Sequence, residues 1–280
     1  AEEEIARSRA AAQEETERMR AEAEGRAAEA NADAERRTTE ARNEAERVTG
    51  EAHAEADRIR AAARDEAAAR QRGEIIWLQR LQAALKEDQF ELYVQPIVSV
   101  GGRVETGPAC EVLLRLRDAE EGAISPASFM QAAERYHLMP NVDRWVLQTA
   151  FAAIGSGSLK LPDQRSCAIN LSGQTLGDPQ FLDFVVDCLD HTGVAPARVC
   201  FEITESAVMS NLSHAARFIA VLHGMGCQFA LDDFGGGMGS FAQLKNLCLD
   251  YLKIDGSFVR DLGTDEVSQA MLNAMVELAR

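Results

Sequence analysis

The stretch Cys227-Gln-Phe-Ala-Leu-Asp-Asp-Phe-Gly-Gly-Gly-Met-Gly-Ser240 runs a short apolar strand into two adjacent carboxylates and then into glycines. Asp232 and Asp233 stand where strand becomes loop. Charged side chains rarely follow a buried strand directly unless they are paired or bind a cation. The glycines from Gly235 to Gly237 let backbone approach a ligand closely. The stretch predicts a metal or phosphate site, with a polar strand end and a flexible turn as the alternative.

The first 72 residues differ sharply in composition from the rest of the chain. They are mostly Ala, Glu and Arg, with no Pro, no aromatic residue and no Lys. The large apolar residues there are too few to bury a globular core, namely Ile5, Met19, Val48 and Ile59. Ala, Glu and Arg are strong helix formers, so we expect one long solvated helix over 1–72.

This helix contains a weak repeat, since segments like Asp33-Ala-Glu-Arg-Arg37 recur every eleven residues. An eleven-residue period favours a right-handed or nearly straight coil over an ordinary heptad coil. Two interpretations of the helix stay open. It is a dimerising or signal-transmitting coiled-coil stalk, or it is a solvated spacer.

The charge of the chain limits the classes of partner. The formal net charge is −16, and acidic residues outnumber basic ones in both parts. This excess argues against binding of a nucleic acid polymer, and an anionic substrate would need cations to approach. No apolar run reaches transmembrane length and no signal-peptide pattern opens the chain, so we expect a soluble protein. Six cysteines occur singly, which favours reduced thiols in the cytoplasm.

Short strands alternate with helices from residue 73 to residue 280. We expect strands at 90–98, 110–116, 167–171, 199–203, 228–231 and 251–254. We expect helices at 75–85, at 125–136, from a cap at Asn141, and at 181–190, 207–222, 241–247 and 266–279. This alternation favours a parallel sheet with right-handed crossovers. The number of units favours a closed TIM-type β/α barrel over an open doubly wound sheet.

Polar residues gather at the strand ends, where the active site of such a barrel lies. They are Glu111, Asn170, Glu202, Glu205, Asp232, Asp233 and Lys253. So many acids are hard to explain as core ion pairs. An oxygen-rich set suits Mg²⁺ or Mn²⁺, in one site or two. Such a site can hydrolyse a phosphodiester or stabilise an enolate beside a lysine base, and the residues alone leave both open.

Six short motifs follow one another in a defined order in this part of the chain. They are Gln95-Pro-Ile, Glu111-Val-Leu-Leu-Arg115, Ala168-Ile-Asn-Leu-Ser172, Glu202-Ile-Thr-Glu-Ser206, Asp232-Asp-Phe-Gly235 and Leu252-Lys-Ile-Asp255. Together they resemble the EAL family of bacterial cyclic-di-GMP phosphodiesterases, from about Trp77 to Arg280. The resemblance implies hydrolysis of cyclic di-GMP to linear pGpG with Mg²⁺ or Mn²⁺. It also implies a TIM-type barrel whose first strand is antiparallel to the others.

The resemblance also implies a role for each matching residue. Metal ligands would be Glu111, Asn170, Glu202 and Asp232, with Asp232 bridging two ions. Asp233 would serve the second ion or the attacking water, and Lys253 would orient that water. Gln95 and Arg115 would hold the nucleotide. Glu205 would anchor the loop that follows Asp233, through which the family is thought to couple dimerisation to metal affinity. A homodimer is therefore expected.

The chain departs from the family pattern in three places. The signature reads Glu111-Val-Leu, a small change for which we expect little effect. The loop Gly235-Gly-Gly-Met-Gly-Ser240 replaces the usual Gly-Thr-Gly-Tyr-Ser-Ser, which predicts altered regulation or a weaker second metal. The family's later Glu-Gly-Val-Glu and Gln-Gly-Tyr strands do not occur before Arg280. We therefore expect a fragment with an incomplete barrel and weak turnover.

Two other functions compete with the enzyme. The chain could be a catalytically weak or inactive EAL domain that acts as a receptor for cyclic di-GMP, although receptors of this kind usually lose ligands that this chain retains. Alternatively, the helix is the functional part and the barrel an adaptor.

Overall fold

The computed structural model describes residues 2–99, 107–118, 122–236, 247–260, 262–263 and 265–279. The loop from Gly237 to Ser240, the turn at Gly101 and the helix expected from Phe241 lie outside these residues. The chain divides into two units, Ala1–Gln71 and Arg72–Arg280. No helix among the described residues has the length and apolarity that a membrane span requires.

A single helix, α1 (Glu2–Glu87), includes both helices that we expected near the N-terminus. Gly73 does not interrupt it, although an interior glycine costs a helix about 1 kcal/mol relative to alanine. Charged pairs three or four residues apart line its surface; Arg47, for example, binds Glu44 and Glu51 at 2.6 Å each. Each such pair adds only about 0.2–0.5 kcal/mol. In the second unit, Leu81 and Ala84 are fully buried. This packing stabilises the helix beyond Gly73.

Seven strands form one sheet in the order β1-β2-β4-β5-β6-β7, with β3 paired to β2. They are β1 (Phe90–Pro96), β2 (Gly107–Asp118), β3 (Gly122–Ile124), β4 (Arg165–Leu171), β5 (Val199–Thr204), β6 (Gln228–Phe234) and β7 (Tyr251–Ile254). β1 is antiparallel to β2, and every pairing from β2 to β7 along the order is parallel. The predicted α/β architecture of TIM type with an antiparallel first strand is confirmed. Among the described strands, β1 and β7 lie at the two ends of the order.

Eight further helices connect or follow the described strands. They are α2 (Met130–Arg135), α3 (Met139–Gly155), α4 (Gly173–Leu176), α5 (Phe181–Thr192), α6 (Glu205–Ser210), α7 (Leu212–Met225), α8 (Gly256–Arg260) and α9 (Glu266–Leu278). The expected cap at Asn141 is wrong, because α3 begins at Met139. Pro140 explains this start, since proline suits the first turn of a helix, where its missing N–H needs no partner.

The helix expected over 207–222 is divided into α6 and α7 at Asn211, whose φ of −149° is not helical. The hydrophobic core lies between the helices and the sheet. Phe201 and Phe229 on neighbouring strands pack with ring centroids 5.5 Å apart, and Phe218 of α7 packs against both. All six cysteines are free thiols, as expected, and four of them are buried.

Candidate active site

The strand register places the polar residues on one face of the sheet. Gln95 pairs with Glu111 across β1 and β2, and Asn170 pairs with Glu202 across β4 and β5. Asp232 of β6 pairs with Thr204, two residues beyond Glu202. Paired residues share a face, and side chains alternate faces along a strand. The predicted residues from five different strands therefore converge at the carboxyl ends of the parallel strands.

Lys253 of β7 is the centre of this convergence. Its Nζ lies 3.3 Å from Glu111 Oε2 and 3.2 Å from Asp232 Oδ2, and it also donates a short hydrogen bond to Glu202 Oε2. Asn170 extends the cluster, because its Nδ2 donates to Glu111 Oε1 at 2.7 Å. Three carboxylates thus share one ammonium group, which leaves the cluster with excess negative charge. We name these five residues the Lys253 cluster.

Glu202 is the most deeply buried member of the Lys253 cluster, and its side chain is 1% exposed. Burial raises the pKa of Glu202 to about 7, although Lys253 opposes this shift. Burial alone would lower the pKa of Lys253, but its hydrogen bond to Glu202 and the charges of Glu202, Asp232 and Glu111 raise it above its ordinary value. The negative charges of the neighbouring carboxylates add to the effect of burial on Glu202 and outweigh it on Lys253.

Asp232 and Asp233 lie inside β6, whereas we expected them directly after the strand. The pairing of β6 with β7 slips by one residue between Leu231 and Phe234, which marks a bulge at the two carboxylates. Asp233 has a φ of +54°, a left-handed conformation that Asp adopts more readily than most residues. Bulges near active sites re-aim side chains. Here Asp232 contacts Lys253, and Asp233 is exposed.

Glu205 is not a member of the Lys253 cluster. It is the first residue of α6, and its Oε2 accepts a hydrogen bond from the Gly235 N–H at 3.3 Å. Gly235 has a φ of +91°, and a Cβ there would lie 2.2 Å from Met275 Cε. Only glycine fits this position without rearrangement. Glu205 therefore holds the backbone directly after the two carboxylates.

Gln95 and Arg115 lie on the antiparallel pair β1 and β2. Gln95 lines a cavity of 440 Å³ together with Glu111, Glu202 and Lys253. Arg115 lies four residues beyond Glu111, with its guanidinium 5.7 Å from the ring centroid of Tyr93. Its Nη1 donates to the Leu114 carbonyl at 2.7 Å. The structure thus brings Gln95 into the cavity and places Arg115 beyond it, toward the end of β2.

The sequence prediction missed Tyr251 as a cavity residue. The side chain of Tyr251 occupies the space beside Gly107, where a Cβ would lie 2.8 Å from its ring. Its hydroxyl accepts a hydrogen bond from Gln228 at 3.2 Å, and Gln228 in turn accepts one from Ser166 at 2.6 Å. The period-two alternation of a strand could have revealed it, because Tyr251 and Lys253 must share a face.

The donor set of the Lys253 cluster fits a divalent cation. Carboxylate and amide oxygens are the ligands that Mg²⁺ and Mn²⁺ prefer, and the excess negative charge needs a counterion. Within the described part of the chain, no three His, Cys, Asp or Glu side chains form a ready ligand group. Instead, three carboxylates direct oxygens at Lys253.

The fold and the site define a class, a TIM-type α/β protein with an acidic site at the carboxyl ends of its strands. The sequence model of the EAL domain matches residues 78–280. The chain therefore belongs to the EAL domain family.

Curated proteins from several bacteria are similar in sequence to this part of the chain. Cyclic di-GMP phosphodiesterase PdeB of Shewanella oneidensis is 34% identical over 217 residues, which cover 78% of this chain and 25% of PdeB. Cyclic di-GMP phosphodiesterase PdeF of Escherichia coli is 34% identical over 207 residues, which cover 74% of this chain and 27% of PdeF. The chain thus spans about a quarter of the length of these relatives.

Solved structures show the same fold. The FimX EAL domain of Pseudomonas aeruginosa bound to c-di-GMP superposes with a TM-score of 0.64 and 31% identity, over 72% of this chain and 79% of that one. The PaMucR phosphodiesterase in its c-di-GMP complex superposes with a TM-score of 0.66 and 30% identity, over 73% of this chain and 82% of that one.

Proposed function

We propose that the Arg72–Arg280 unit hydrolyses one phosphodiester bond of cyclic di-GMP to give linear pGpG, in a reaction that depends on Mg²⁺ or Mn²⁺. The observation that carries this proposal is the convergence of three carboxylates and an Asn amide on Lys253 at the strand ends. The similarity to PdeB and PdeF, which are cyclic di-GMP phosphodiesterases, supports both the substrate and the reaction. It favours phosphodiester hydrolysis over the enolate chemistry that the residues alone leave open.

In this proposal the residues that would hold divalent ions are Glu111, Asn170, Glu202 and Asp232, together with Asp233. The Asn170 amide nitrogen already donates to Glu111, which leaves the amide oxygen for a cation. Divalent ions bound there would supply electrostatic stabilisation of the phosphoryl oxygens and an acidified water molecule.

The remaining site residues bind the nucleotide, orient the attacking water and position the backbone. Lys253 holds and orients the attacking water, a role that suits a compact ammonium with three donors. Gln95 contacts the nucleotide in the cavity, and Arg115 grips a phosphate through its planar guanidinium. Glu205 keeps the backbone after Asp233 in place through Gly235.

Turnover of cyclic di-GMP tests the proposed function. The protein is incubated with the nucleotide and either Mn²⁺ or Mg²⁺, and pGpG is quantified by chromatography. We expect metal-dependent pGpG that disappears in Glu111→Ala. A matched control is Glu91→Ala, which removes a carboxylate of β1 that pairs with Arg117 at 2.8 Å, and it should retain activity. Intact nucleotide binding without pGpG under either metal would overturn the proposal.

A non-catalytic receptor is the second candidate, because the FimX EAL structure is described as a complex with c-di-GMP and not as an enzyme. Lys253 neutralises part of the carboxylate charge in the described structure, and such a site could bind the nucleotide without turning it over. Calorimetric binding in the presence of a chelator separates the two functions. A receptor binds the nucleotide with the same affinity in metal-free buffer as in the presence of Mn²⁺. It yields no pGpG when Mn²⁺ is added.

A homodimer and a cytoplasmic location are parts of the same proposal. Met19, Val48 and Ile59 on α1 are at least half exposed in the single chain, which is what a second copy of the helix would cover. The six free thiols suit a reducing compartment. The stalk and spacer interpretations of α1 both remain open.

A further inference from the structure

Asp143 is a buried carboxylate outside the Lys253 cluster. It belongs to α3 and is 4% exposed. Its Oδ2 accepts two hydrogen bonds, from the Ser172 backbone N–H at 2.9 Å and from the Thr175 hydroxyl at 2.5 Å. A buried carboxylate is costly unless its hydrogen bonds are made. Both of these bonds reach one short segment, the β4–α4 turn at Ser172 and the first residues of α4.

The segment that Asp143 holds directly follows β4, the strand that carries Asn170. Ser172 is two residues beyond Asn170 and caps α4, where its Oγ accepts a hydrogen bond from the Thr175 N–H at 3.2 Å. The hydroxyls of Ser172 and Thr175 also lie 2.9 Å apart. Asp143, Ser172 and Thr175 therefore form one closed network, and the backbone of the turn cannot move without breaking it.

The same turn is packed tightly on its other side. A Cβ on Gly173 would lie 3.2 Å from the Ala207 Cβ, so α4 approaches α6 closely. The first residue of α6 is Glu205, which holds the Gly235 backbone. The turn after β4 is thus fixed between the Asp143 network and α6. Neither contact is needed to form β4 itself, whose residues pair with β2 and β5.

We propose that Asp143 is a positioning residue, which fixes the β4–α4 turn through Ser172 and Thr175 and so holds the Asn170 amide against Glu111. The role as a support for metal binding rests on the proposed function, in which Asn170 is a ligand. The role as a support for the Asn170 side chain stands on the geometry alone. Groups that orient a metal ligand are typically worth about 10- to 100-fold in metal affinity.

Two disruptive variants test this role, and each is compared with a conservative variant at the same position. Asp143→Ala removes the acceptor, whereas Asp143→Asn keeps an acceptor oxygen of the same shape. Thr175→Val removes the hydroxyl, whereas Thr175→Ser keeps it. Leu189→Ala is the control for a loss of stability alone. Leu189 is buried near the C-terminal end of α5, and it is not part of the Asp143 network.

The readouts are the NMR signals of the Asn170 side-chain amide, assigned with Asn170→Asp, and Mn²⁺ binding followed by electron paramagnetic resonance. We expect Asp143→Ala and Thr175→Val to shift the Asn170 signals and to weaken Mn²⁺ binding about tenfold. Asp143→Asn, Thr175→Ser and Leu189→Ala should resemble the wild type in both readouts, although Leu189→Ala melts at a lower temperature.

Unchanged Asn170 signals in both Asp143→Ala and Thr175→Val would overturn the proposal, even if these variants are less stable. If the wild-type protein binds no Mn²⁺, the metal chemistry of the proposed function fails, and the Asn170 signals still decide the role of Asp143. Thr175→Val keeps the test open if Asp143→Ala does not fold.

Discussion

Glu202 and Lys253 show how one buried pair determines the electrostatics of the site. Glu202 is almost inaccessible, and Lys253 must also neutralise Glu111 and Asp232. One ammonium cannot satisfy three carboxylates in a site of low dielectric constant. Burial raises the pKa of Glu202 to about 7, with a smaller contribution from the charges of Glu111 and Asp232 and against the effect of Lys253. A divalent cation would relieve the same excess of negative charge.

Replacing Glu202 by Gln should flatten the pH dependence of stability in metal-free buffer. The pKa of this carboxyl rises from 4.5 to about 7 on folding, so the folded state binds the proton more tightly than the unfolded state. The free energy of unfolding therefore falls as pH rises from 4.5 through 7, by at most about 3 kcal/mol. Urea unfolding across this range in a chelating buffer measures the effect. Equal slopes for the variant and the wild type would contradict it.

Gly235→Ala should destabilise the segment after the two aspartates. The new Cβ would collide with Met275 Cε, and the φ of +91° is unfavourable for any L side chain. We expect a loss of about 1–3 kcal/mol in unfolding free energy. The control is Gly224→Ala in α7, where nothing lies within 4 Å of the new Cβ and alanine suits the helix. A loss of the same size in both variants would show that the Met275 contact is not the cause.

At the scale of elements, Arg165 joins three chain segments at the amino end of β4. Its guanidinium donates to the carbonyls of Gly107 at 3.1 Å and Ile97 at 3.4 Å, and to that of Pro108. Arg165 is 6% exposed. The side chain thus ties the end of β1 and the start of β2 to β4.

Arg165→Met should cost about 3 kcal/mol of unfolding free energy, because it removes a buried charged donor from three carbonyls, of which that of Gly107 is buried. Arg198→Met is the matched control. Arg198 also donates to two carbonyls, those of Pro162 at 2.7 Å and Leu161 at 2.9 Å, but it is only half-buried. We expect a loss of about 1 kcal/mol there. Chemical denaturation measures the unfolding free energy of both variants. A larger loss for Arg198→Met than for Arg165→Met would contradict the prediction.

The elements that could be predicted from sequence are those whose own residues determine them. The strand around Phe201 and the strand around Phe229 are short apolar runs and lie where expected. The boundaries that could not be predicted depend on tertiary contacts. The continuation of α1 past Gly73 depends on the burial of Leu81, and the bulge at Asp233 depends on how β6 pairs with β7.

At the scale of the whole molecule, the surface of α1 bears on whether the chain dimerises. Before Gly73 its large apolar side chains are few, Met19, Val48 and Ile59 among them are exposed, and most other residues are Ala, Glu or Arg. If α1 is a dimerising stalk, sedimentation equilibrium of the whole chain gives a dimer, and Val48→Lys shifts it toward monomer because a charge enters the seam. A monomer at all concentrations, with no effect of Val48→Lys, would favour the spacer interpretation.

Most of the site could be predicted from sequence, because acids at strand ends converge by topology once the strands are parallel. The contacts of Lys253 with three carboxylates follow from that convergence. The role of Asp143 could not be predicted, since a single Asp in an amphipathic helix shows no pattern, and only the fold brings it to Ser172. Tyr251 was missed for a related reason, because an aromatic residue in a strand usually indicates core packing.

Anomalous diffraction from crystals soaked in Mn²⁺ would locate bound metal directly and so tests whether the Lys253 cluster is a divalent-metal site. We predict manganese peaks within coordination distance of Glu111, Asn170, Glu202 and Asp232, with Lys253 withdrawn from at least one of the three carboxylates. Manganese peaks elsewhere, with the Lys253 contacts unchanged, would contradict the account.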